Sequence, residues 1–232
     1  MRKYYEAYDD RYRQAHAAGL AWFADEASGI VMETMRKYGV DVHSRILEIG
    51  CGEGRDARAL LKAGYDLTAT DVSPEAIRHC KEKTPQFAEK FRVTDAVAEQ
   101  PRERYDFVYA IAVLHMLVED ADRAAFLRYV RGSLKENGIA LLCMLGDGTV
   151  QRSSDITTAF DLQERTHTHT GKTLQVAGTS CRMVDDETLE KELESAGLML
   201  IERTMTAIEE YAIPGFLPQM TAVVVQQENE AE

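Results

Sequence analysis

The sequence has no cluster of basic residues. It contains 27 lysines and arginines against 39 aspartates and glutamates, so its formal net charge at pH 7 is -12. Nucleic-acid backbones and anionic membrane surfaces are bound by clustered lysine and arginine, and the lack of such a cluster argues against both. We therefore predict no nucleic-acid partner and no membrane partner. A small-molecule partner stays open, and the sequence does not indicate an oligomeric state.

Long apolar runs and paired cysteines are also missing. No stretch approaches the ~20 apolar residues that a membrane helix requires. The polar start, MRKYYEAYDDRYRQ, lacks the apolar run of a signal peptide. The four cysteines, Cys51, Cys80, Cys143 and Cys181, form no CxxC pair. We interpret them as reduced thiols of a cytoplasmic protein.

What the sequence does contain is a regular alternation of strand and helix patterns. Predicted strands lie at 45–50, 66–71, 91–95, 105–114, 139–145, 198–206 and 220–227, and predicted helices at 20–38, 56–64, from Ser73-Pro74 onward, at 121–134 and at 186–196. Asn137-Gly138 is a turn signal. Alternation at this spacing implies parallel pairing through right-handed crossovers. The pattern predicts one domain, residues 1–232, built on a doubly wound α/β sheet.

Two segments lie outside this alternation. Tyr4, Tyr5, Tyr8 and Tyr12 fall on one face of a predicted helix, which indicates an N-terminal helical cap over residues 1–40. Residues 146–180 are polar, rich in serine and threonine, and almost without periodicity. Irregular segments of this length are usually functional or disordered. We predict that 146–180 is an inserted segment on the substrate side.

The stretch EIGCGEG (48–54) follows the first predicted strand and opens a helix. In sheets of this kind the ligand lies beyond the carboxyl ends of the strands. A dinucleotide fingerprint would need a third glycine where Arg55 stands, and a Walker loop would need a following Gly-Lys-Ser/Thr. From the residues alone, a degenerate dinucleotide loop and a loop without a ligand both remain open.

The alternation of Gly50, Gly52 and Gly54 behind an acid resembles the nucleoside-binding loop of class I S-adenosylmethionine (SAM)-dependent methyltransferases. Three later stretches resemble the same family: TDAVAEQP (94–101), AIAVLHML (110–117) and RGSLKENGIALL (131–142). The resemblance is close over about residues 45–145 and looser over 186–227. It implies a Rossmann-like, seven-stranded, mostly parallel sheet with a reversed last strand, plus N-terminal helices.

The resemblance also implies SAM as cofactor and S-adenosylhomocysteine (SAH) as product. Asp71 would accept hydrogen bonds from the ribose hydroxyls, Val72 would cover the adenine, and Asp95 would accept from the adenine amino group. The implied cofactor-binding set is Glu48, Gly50, Cys51, Gly52, Gly54, Asp71, Val72, Asp95, Ala96 and Ala110. For Cys51 we favour a packing role over a nucleophilic one.

Histidines supply the candidates for chemistry. His115 follows the fourth strand, where it could act as a general base or simply line the pocket. His167 and His169 alternate in a Thr-His-Thr-His-Thr run and could share a metal with Cys181 or Asp185. No other spacing matches a known ligand set, so we predict no metal site.

Aromatic residues supply the candidates for acceptor binding. Tyr4, Tyr8, Tyr12 and Trp22 either contact substrate as a lid or form the packed face of a helix. Phe160 and the IPGFLP stretch (213–218) could add to the same apolar surface. We predict a SAM-dependent methyltransferase acting on a small organic acceptor. The alternatives are methylation of a protein or RNA group, and a methyltransferase-like binding domain without catalysis.

Overall fold

The computed structural model describes residues 2–21, 27–167, 170–207 and 219–227, and a seven-stranded sheet forms its centre. The strands are, in chain order, β1 (Arg45–Ile49), β2 (Asp66–Asp71), β3 (Phe91–Val93), β4 (Tyr105–Ile111), β5 (Leu134–Leu145), β6 (Arg152–Ser153), β7 (Leu162–Thr166), β8 (Thr173–Ala177), β9 (Arg182–Met183), β10 (Leu198–Ala207) and β11 (Gln219–Gln227). The central sheet has the order β10-β11-β5-β4-β1-β2-β3. Strand β11 runs antiparallel to both neighbours, and the pairs from β5 to β3 are parallel. The predicted doubly wound sheet with a reversed last strand is confirmed.

The helices are α1 (Ala7–Ala17), α2 (Gly29–Lys37), α3 (Arg55–Lys62), α4 (Pro74–Lys83), α5 (Asp120–Ser133) and α6 (Asp186–Ser195), with 3-10 turns at Tyr4–Glu6, Pro85–Lys90, Leu114–Met116 and Ile156–Thr158. Ser73 and Asp185 are the N-caps of α4 and α6, because their side chains accept from the backbone amides of Ala76 and Thr188. Within the described ranges, no helix is long and apolar enough to cross a membrane.

The central strands bury both of their faces. Ile46, Phe107 and Leu141 join one apolar cluster with residues of α2, α3 and α4. Leu47 and Val108, one position further along β1 and β4, join a second cluster with residues of α5 and α6. Because successive strand residues point to opposite faces, this alternation explains why the strands are apolar throughout.

Two predicted local features differ from the structure. Of the helix predicted at 20–38, the structure shows Gly29–Lys37 as helix, with Ser28 in an extended conformation at its N-cap position. Residues 20–21 and 27–28 are not helical, and 22–26 lie outside the described residues. Asn137-Gly138 lies within β5, where the pairing register with β4 shifts, and not in a turn between two elements.

The segment 146–180 contains more regular structure than its sequence indicates. Strands β7 and β8 form an antiparallel hairpin, and β6 pairs with β9 just beyond the segment. The hairpin packs against α1, where the buried Arg11 guanidinium donates to the carbonyls of Ala177 and Gly178, each 2.8 Å from Nη2. All five residues of β7 are exposed, so no apolar alternation marked this strand in the sequence.

Gly54 occupies the N-cap position of α3. Gly54 has φ +76°, and a Cβ atom there would lie 2.7 Å from Cys80 Sγ. Gly39 has nearly the same φ, +70°, with nothing within 4 Å of the added atom. We expect Gly39→Ala to lower the free energy of unfolding by about 1–2 kcal/mol through backbone strain alone. Gly54→Ala should cost roughly 1–3 kcal/mol more because of the steric clash. Equal losses in urea unfolding would contradict this packing role.

Candidate functional site

A cleft of about 760 Å³ opens at the carboxyl ends of the central strands. Its wall contains eight of the ten residues that the sequence indicated for a cofactor: Glu48, Gly50, Cys51, Gly52, Asp71, Val72, Asp95 and Ala96. Gly54 and Ala110 are not among the lining residues; Gly54 begins α3, and Ala110 packs in the core with 1% exposure. The cleft lies where open α/β sheets bind their ligands.

Asp71 fixes the loop that follows β1. Its Oδ2 accepts from the amide of Gly52 at 2.8 Å, and its Oδ1 accepts from the amide of Ser73 at 2.8 Å. Burial raises the pKa of the Asp71 carboxyl to about 6, although both amide hydrogen bonds oppose the shift. Each carboxylate oxygen can accept a second hydrogen bond. The side chain can therefore hold the loop and still receive two hydroxyl donors from a ligand.

Gly50 allows the backbone to approach the loop after β4. It has φ +74°, and a Cβ atom at this position would collide with the side chain of Val113. The amides of Gly50 and Cys51 both donate to the carbonyl of Thr70, at 2.7 and 2.9 Å. The missing side chain at Gly50 thus lets Val113, from the loop after β4, pack directly against the loop after β1.

Asp95 lies at the other end of the cleft. Its Oδ1 accepts from the amides of Val97 and Ala98, at 2.9 and 3.2 Å, while the Tyr5 hydroxyl donates to Oδ2 at 3.0 Å. Tyr5 also lines the cleft. The sequence interpretation placed Tyr5 on the aromatic face of the cap, which could close over SAM or substrate, but gave it no contact with Asp95. No local pattern could reveal this contact, because the two residues are 90 positions apart.

Only some of the residues predicted to bind the acceptor line the cleft. Tyr8 and Tyr12 line the cleft, and Tyr12 is buried. Tyr4 does not line it; its hydroxyl accepts from the amides of Val118 and Glu119 and so anchors the chain start to the loop before α5. Trp22 and the IPGFLP stretch lie outside the described residues. Phe160 lies under the Arg2 guanidinium, away from the cleft wall.

The geometry does not support His115 as a general base. The ring is 4% exposed and is not part of the cleft wall, while its Nδ1 accepts from the amide of Leu145 at 3.3 Å. Burial, and then the nearby Arg123, lower the pKa of His115 to about 3. A neutral ring that already accepts a backbone hydrogen bond is a packing residue. The position after β4 was readable from sequence, but the direction of the side chain was not.

Cys51 and Glu48 are buried groups of the cleft wall. The neighbouring Cys80 and burial raise the pKa of the Cys51 thiol well above its usual value, so the sulfur is not a thiolate at neutral pH. Burial also raises the pKa of Glu48, and its Oε2 has no hydrogen-bond partner in the protein. A buried oxygen without a partner is costly unless a ligand or water supplies a donor.

The histidine run gives no indication of a metal. His167 is 5% exposed, and its two ring nitrogens lie 2.9 Å from Thr170 Oγ1 and 2.7 Å from the carbonyl oxygen of Ala21. The Nε2 contact therefore joins the insertion to the chain after α1, and the Nδ1 contact stays within the insertion. His169 lies outside the described residues. Among the residues that the structure describes, no group of three potential metal ligands comes together.

The loop after β4 supplies wall residues that the sequence interpretation missed. Ala112, Val113, Met116 and Leu117 all line the cleft. Ala112 has φ +60°, which is unusual for a residue with a side chain and is often found near functional sites. Arg123 holds this loop from behind by donating to the carbonyls of Leu114 and Leu117, while it pairs with Glu192 of α6.

Comparison with known proteins gives the class. Residues 47–140 match the family model described as a methyltransferase domain. The protein is 32% identical over 107 residues to a ubiquinone biosynthesis O-methyltransferase of Xanthomonas campestris pv. campestris, covering 44% of this chain and 43% of that one. It is 33% identical over 101 residues to a 2-methyl-6-phytyl-1,4-hydroquinone methyltransferase of Synechocystis, covering 42% and 30%. The matches thus span less than half of these curated relatives.

The fold extends the likeness over the whole chain. A S-adenosylmethionine-dependent methyltransferase from Clostridium acetobutylicum superposes with a TM-score of 0.66 at 14% identity, covering 94% of this chain and 96% of that one. The chain thus matches a methyltransferase domain over residues 47–140 and shares the fold of a solved SAM-dependent methyltransferase. Both findings support the predicted family, enzyme class and cofactor.

A matched pair of aspartates on β2 tests the site. Asp71→Ala should weaken SAH binding by about 2–3 kcal/mol, roughly 30- to 150-fold, because it removes a charged acceptor. Asp66 lies at the exposed opposite end of the same strand, where it pairs with Lys90. Asp66→Ala should leave SAH affinity unchanged in calorimetric titration. Equal affinities for the two variants would remove Asp71 from the site.

The raised pKa of Asp71 predicts a pH dependence with a definite sign. Ligand hydroxyls bind the carboxylate, whereas the free protein takes up a proton as the pH falls through about 6. The dissociation constant for SAH should therefore rise below pH 6, by up to about tenfold per pH unit. Titration calorimetry of the wild-type protein from pH 7.5 to 5 measures this rise. A dissociation constant that does not change with pH would show that SAH does not bind to the ionised carboxylate of Asp71.

Proposed function

We propose that this chain binds SAM in the cleft and transfers its methyl group to a small organic acceptor. The observation that carries the proposal is that the loop after β1, Asp71 and Asp95 meet in one cleft together with two tyrosines of α1. The residues present fit this cofactor. Asp71 has acceptor capacity for two hydroxyls, Gly50 and Gly52 line the cleft, and the Glu48 carboxyl has an oxygen without a partner.

The chain contributes binding, alignment and exclusion of water. Asp71 would hold the ribose hydroxyls and Asp95 the adenine amino group, and the backbone from Gly50 to Gly52 would contact the remaining part of the cofactor. When bound, SAM supplies an activated methyl group on a sulfonium, which is already a good leaving group. Alignment of such a pair can provide ~7–11 kcal/mol of the barrier reduction. Because His115 lies outside the cleft, the described residues favour an acceptor that needs no histidine base.

The charge of the cleft favours some acceptors over others. Its wall carries seven carboxyl groups, those of Glu33, Glu48, Glu53, Asp56, Asp71, Asp95 and Glu202, against the basic residues Lys37 and Arg55. Lys37 pairs with Glu202, and the Arg55 guanidinium lies 3.7 Å from Asp56. A wall of this sign attracts a cationic cofactor and repels anions. We therefore propose an uncharged or cationic acceptor and disfavour phosphorylated ones, RNA included.

The acceptor side of the cleft is mainly apolar. Ile30 of α2, Ile111 at the end of β4, and Met205 and Met220 of the last two strands face the cavity beyond the cofactor loop. One curated relative is a ubiquinone biosynthesis O-methyltransferase and the other a 2-methyl-6-phytyl-1,4-hydroquinone methyltransferase, which supports an apolar aromatic acceptor here. The Tyr8 and Tyr12 rings would cover such an acceptor or the adenosyl group. Methylation of a protein group is the second candidate.

Charge and cysteine content bear on the cellular location and partners of the protein. We propose a cytoplasmic enzyme without a nucleic-acid or membrane partner, in line with its net charge of -12 and with four cysteines that form no disulfide. The insertion would act on the acceptor indirectly, because none of its described residues lines the cleft. It contacts α1, which in turn provides Tyr8 and Tyr12.

A transfer assay with radiolabelled SAM tests the proposal. The wild-type protein is incubated with pools of uncharged phenols and hydroquinones, of amines, and of phosphorylated metabolites. We expect label in one of the first two pools and none in the third, since the acidic wall disfavours anions. Asp71→Ala is the matched control and should lose transfer at low SAM concentration. SAH binding without transfer to any pool would favour a binding domain, and label in protein or RNA would contradict a small acceptor.

A further inference from the structure

His16 of α1 bridges two carboxylates that belong to different parts of the cofactor site. Its Nε2 lies 2.8 Å from Glu53 Oε1, and its Nδ1 lies 2.7 Å from Glu75 Oε1. Glu53 is in the loop after β1, between Gly52 and Gly54, and Glu75 is in the first turn of α4. The three side chains are 10%, 4% and 13% exposed. One imidazole thus connects α1 to both elements that surround Asp71.

The bridge requires a proton on each ring nitrogen. A carboxylate only accepts hydrogen bonds, and a neutral imidazole has a single N–H donor, so only the imidazolium can donate to both. The two carboxylates raise the pKa of His16, Glu53 more than Glu75, against the opposing effect of burial. Loss of the proton would leave one carboxylate facing a ring lone pair and would break one of the two hydrogen bonds.

Other charged groups face this ring from each element packed on it. On α1 the neighbour is Tyr12, stacked at 6.2 Å between ring centroids, and on α4 it is His79, stacked at 4.4 Å. The groups around the bridge are Glu53 and Arg58 from the loop and α3, Glu75, Arg78, His79 and Lys83 from α4, and Tyr12 from α1. Burial, and then His16, lower the pKa of His79. Of this pair, His16 is therefore the histidine that keeps its second proton to the higher pH.

The position of α1 matters because this helix forms part of the cleft wall. Tyr8 and Tyr12 belong to it, and Tyr5 precedes it with its hydroxyl on Asp95. On its outer side α1 is held by the insertion through Arg11. On its inner side Asp9 accepts from Ser73 Oγ at 2.7 Å and from the Glu75 amide at 3.0 Å, and His16, the last but one residue of the helix, completes the attachment.

We propose that His16 is a positioning residue for the cofactor: as an imidazolium it binds Glu53 and Glu75 together and keeps α1, with its tyrosines, over the cofactor end of the cleft. This inference rests on the proposed function, because it assumes that the cleft binds SAM or SAH. A ligand that needs α1 in place is bound with an apparent affinity reduced by the fraction of molecules in which α1 has moved away. Deprotonation of His16 increases that fraction.

The test compares SAH affinity of the wild-type protein and His16→Gln by calorimetry from pH 6.5 to 9. Glutamine is neutral at every pH and can donate to only one of the two carboxylates. We expect the variant to bind SAH about tenfold more weakly at pH 6.5. The ratio of the two dissociation constants should fall toward one as the pH rises and the wild-type imidazolium is lost. The ligand's own amino group titrates in this range but affects both proteins equally.

Two further variants separate positioning from simple stability. His43→Gln changes an exposed histidine in the turn before β1 and should give a ratio of one throughout. Glu75→Gln leaves His16 with Glu53 as its single carboxylate partner. The pH at which SAH affinity is lost should therefore move down toward the pKa of an ordinary histidine. Urea unfolding at each pH confirms that all variants are folded.

The outcomes are distinguishable. The ratio of the SAH dissociation constants of His16→Gln and the wild-type protein could stay constant from pH 6.5 to 9 or equal one at every pH. Either result would overturn the positioning role while leaving the proposed function intact. The positioning role would also be overturned if the SAH affinity of Glu75→Gln fell at the same pH as that of the wild-type protein. Absence of SAH binding by the wild-type protein at all pH values would overturn both the proposed function and this inference.

Discussion

The hydrogen bonds of the Asp71 carboxylate connect the elements on which the candidate site depends. They link the end of β2 to the loop after β1 through Gly52 and to the start of α4 through Ser73. Burying this charge costs free energy, which is visible as its raised pKa. The protein places the acid there because parallel strands bring their carboxyl ends to one edge. A ligand that donates hydroxyls to Asp71 offsets part of the cost.

The N-terminal segment completes the site from outside the sheet. Tyr5, Asp9 and His16 each contact a different part of the cofactor end: Asp95, the start of α4, and the loop after β1. The insertion holds the same helix from the opposite side through Arg11. Cap and insertion therefore form one unit over the cleft, and the insertion affects the ligand through α1 and not by direct contact.

Local sequence patterns were sufficient for the sheet and for half of the site. The stretch from Glu48 to Gly54, Asp71 and Asp95 all lie at the carboxyl ends of strands or just after them. Apolar runs identify these strands, and parallel pairing then brings their ends together. The contacts of α1 could not be predicted in this way. Arg11 and Ala177 are 166 positions apart, and His16 and Glu53 are 37 apart, with no periodicity relating them. Side-chain direction was equally hidden, as His115 and Tyr4 show by pointing away from the cleft.

A crystal structure of the protein with SAH tests the central claim most directly. The account predicts both ribose hydroxyls within hydrogen-bonding distance of Asp71, the adenine amino group on Asp95, and α1 in contact with the ligand while His16 bridges Glu53 and Glu75. A complex in which SAH lies elsewhere, or in which Asp71 touches no part of the nucleoside, would contradict the account.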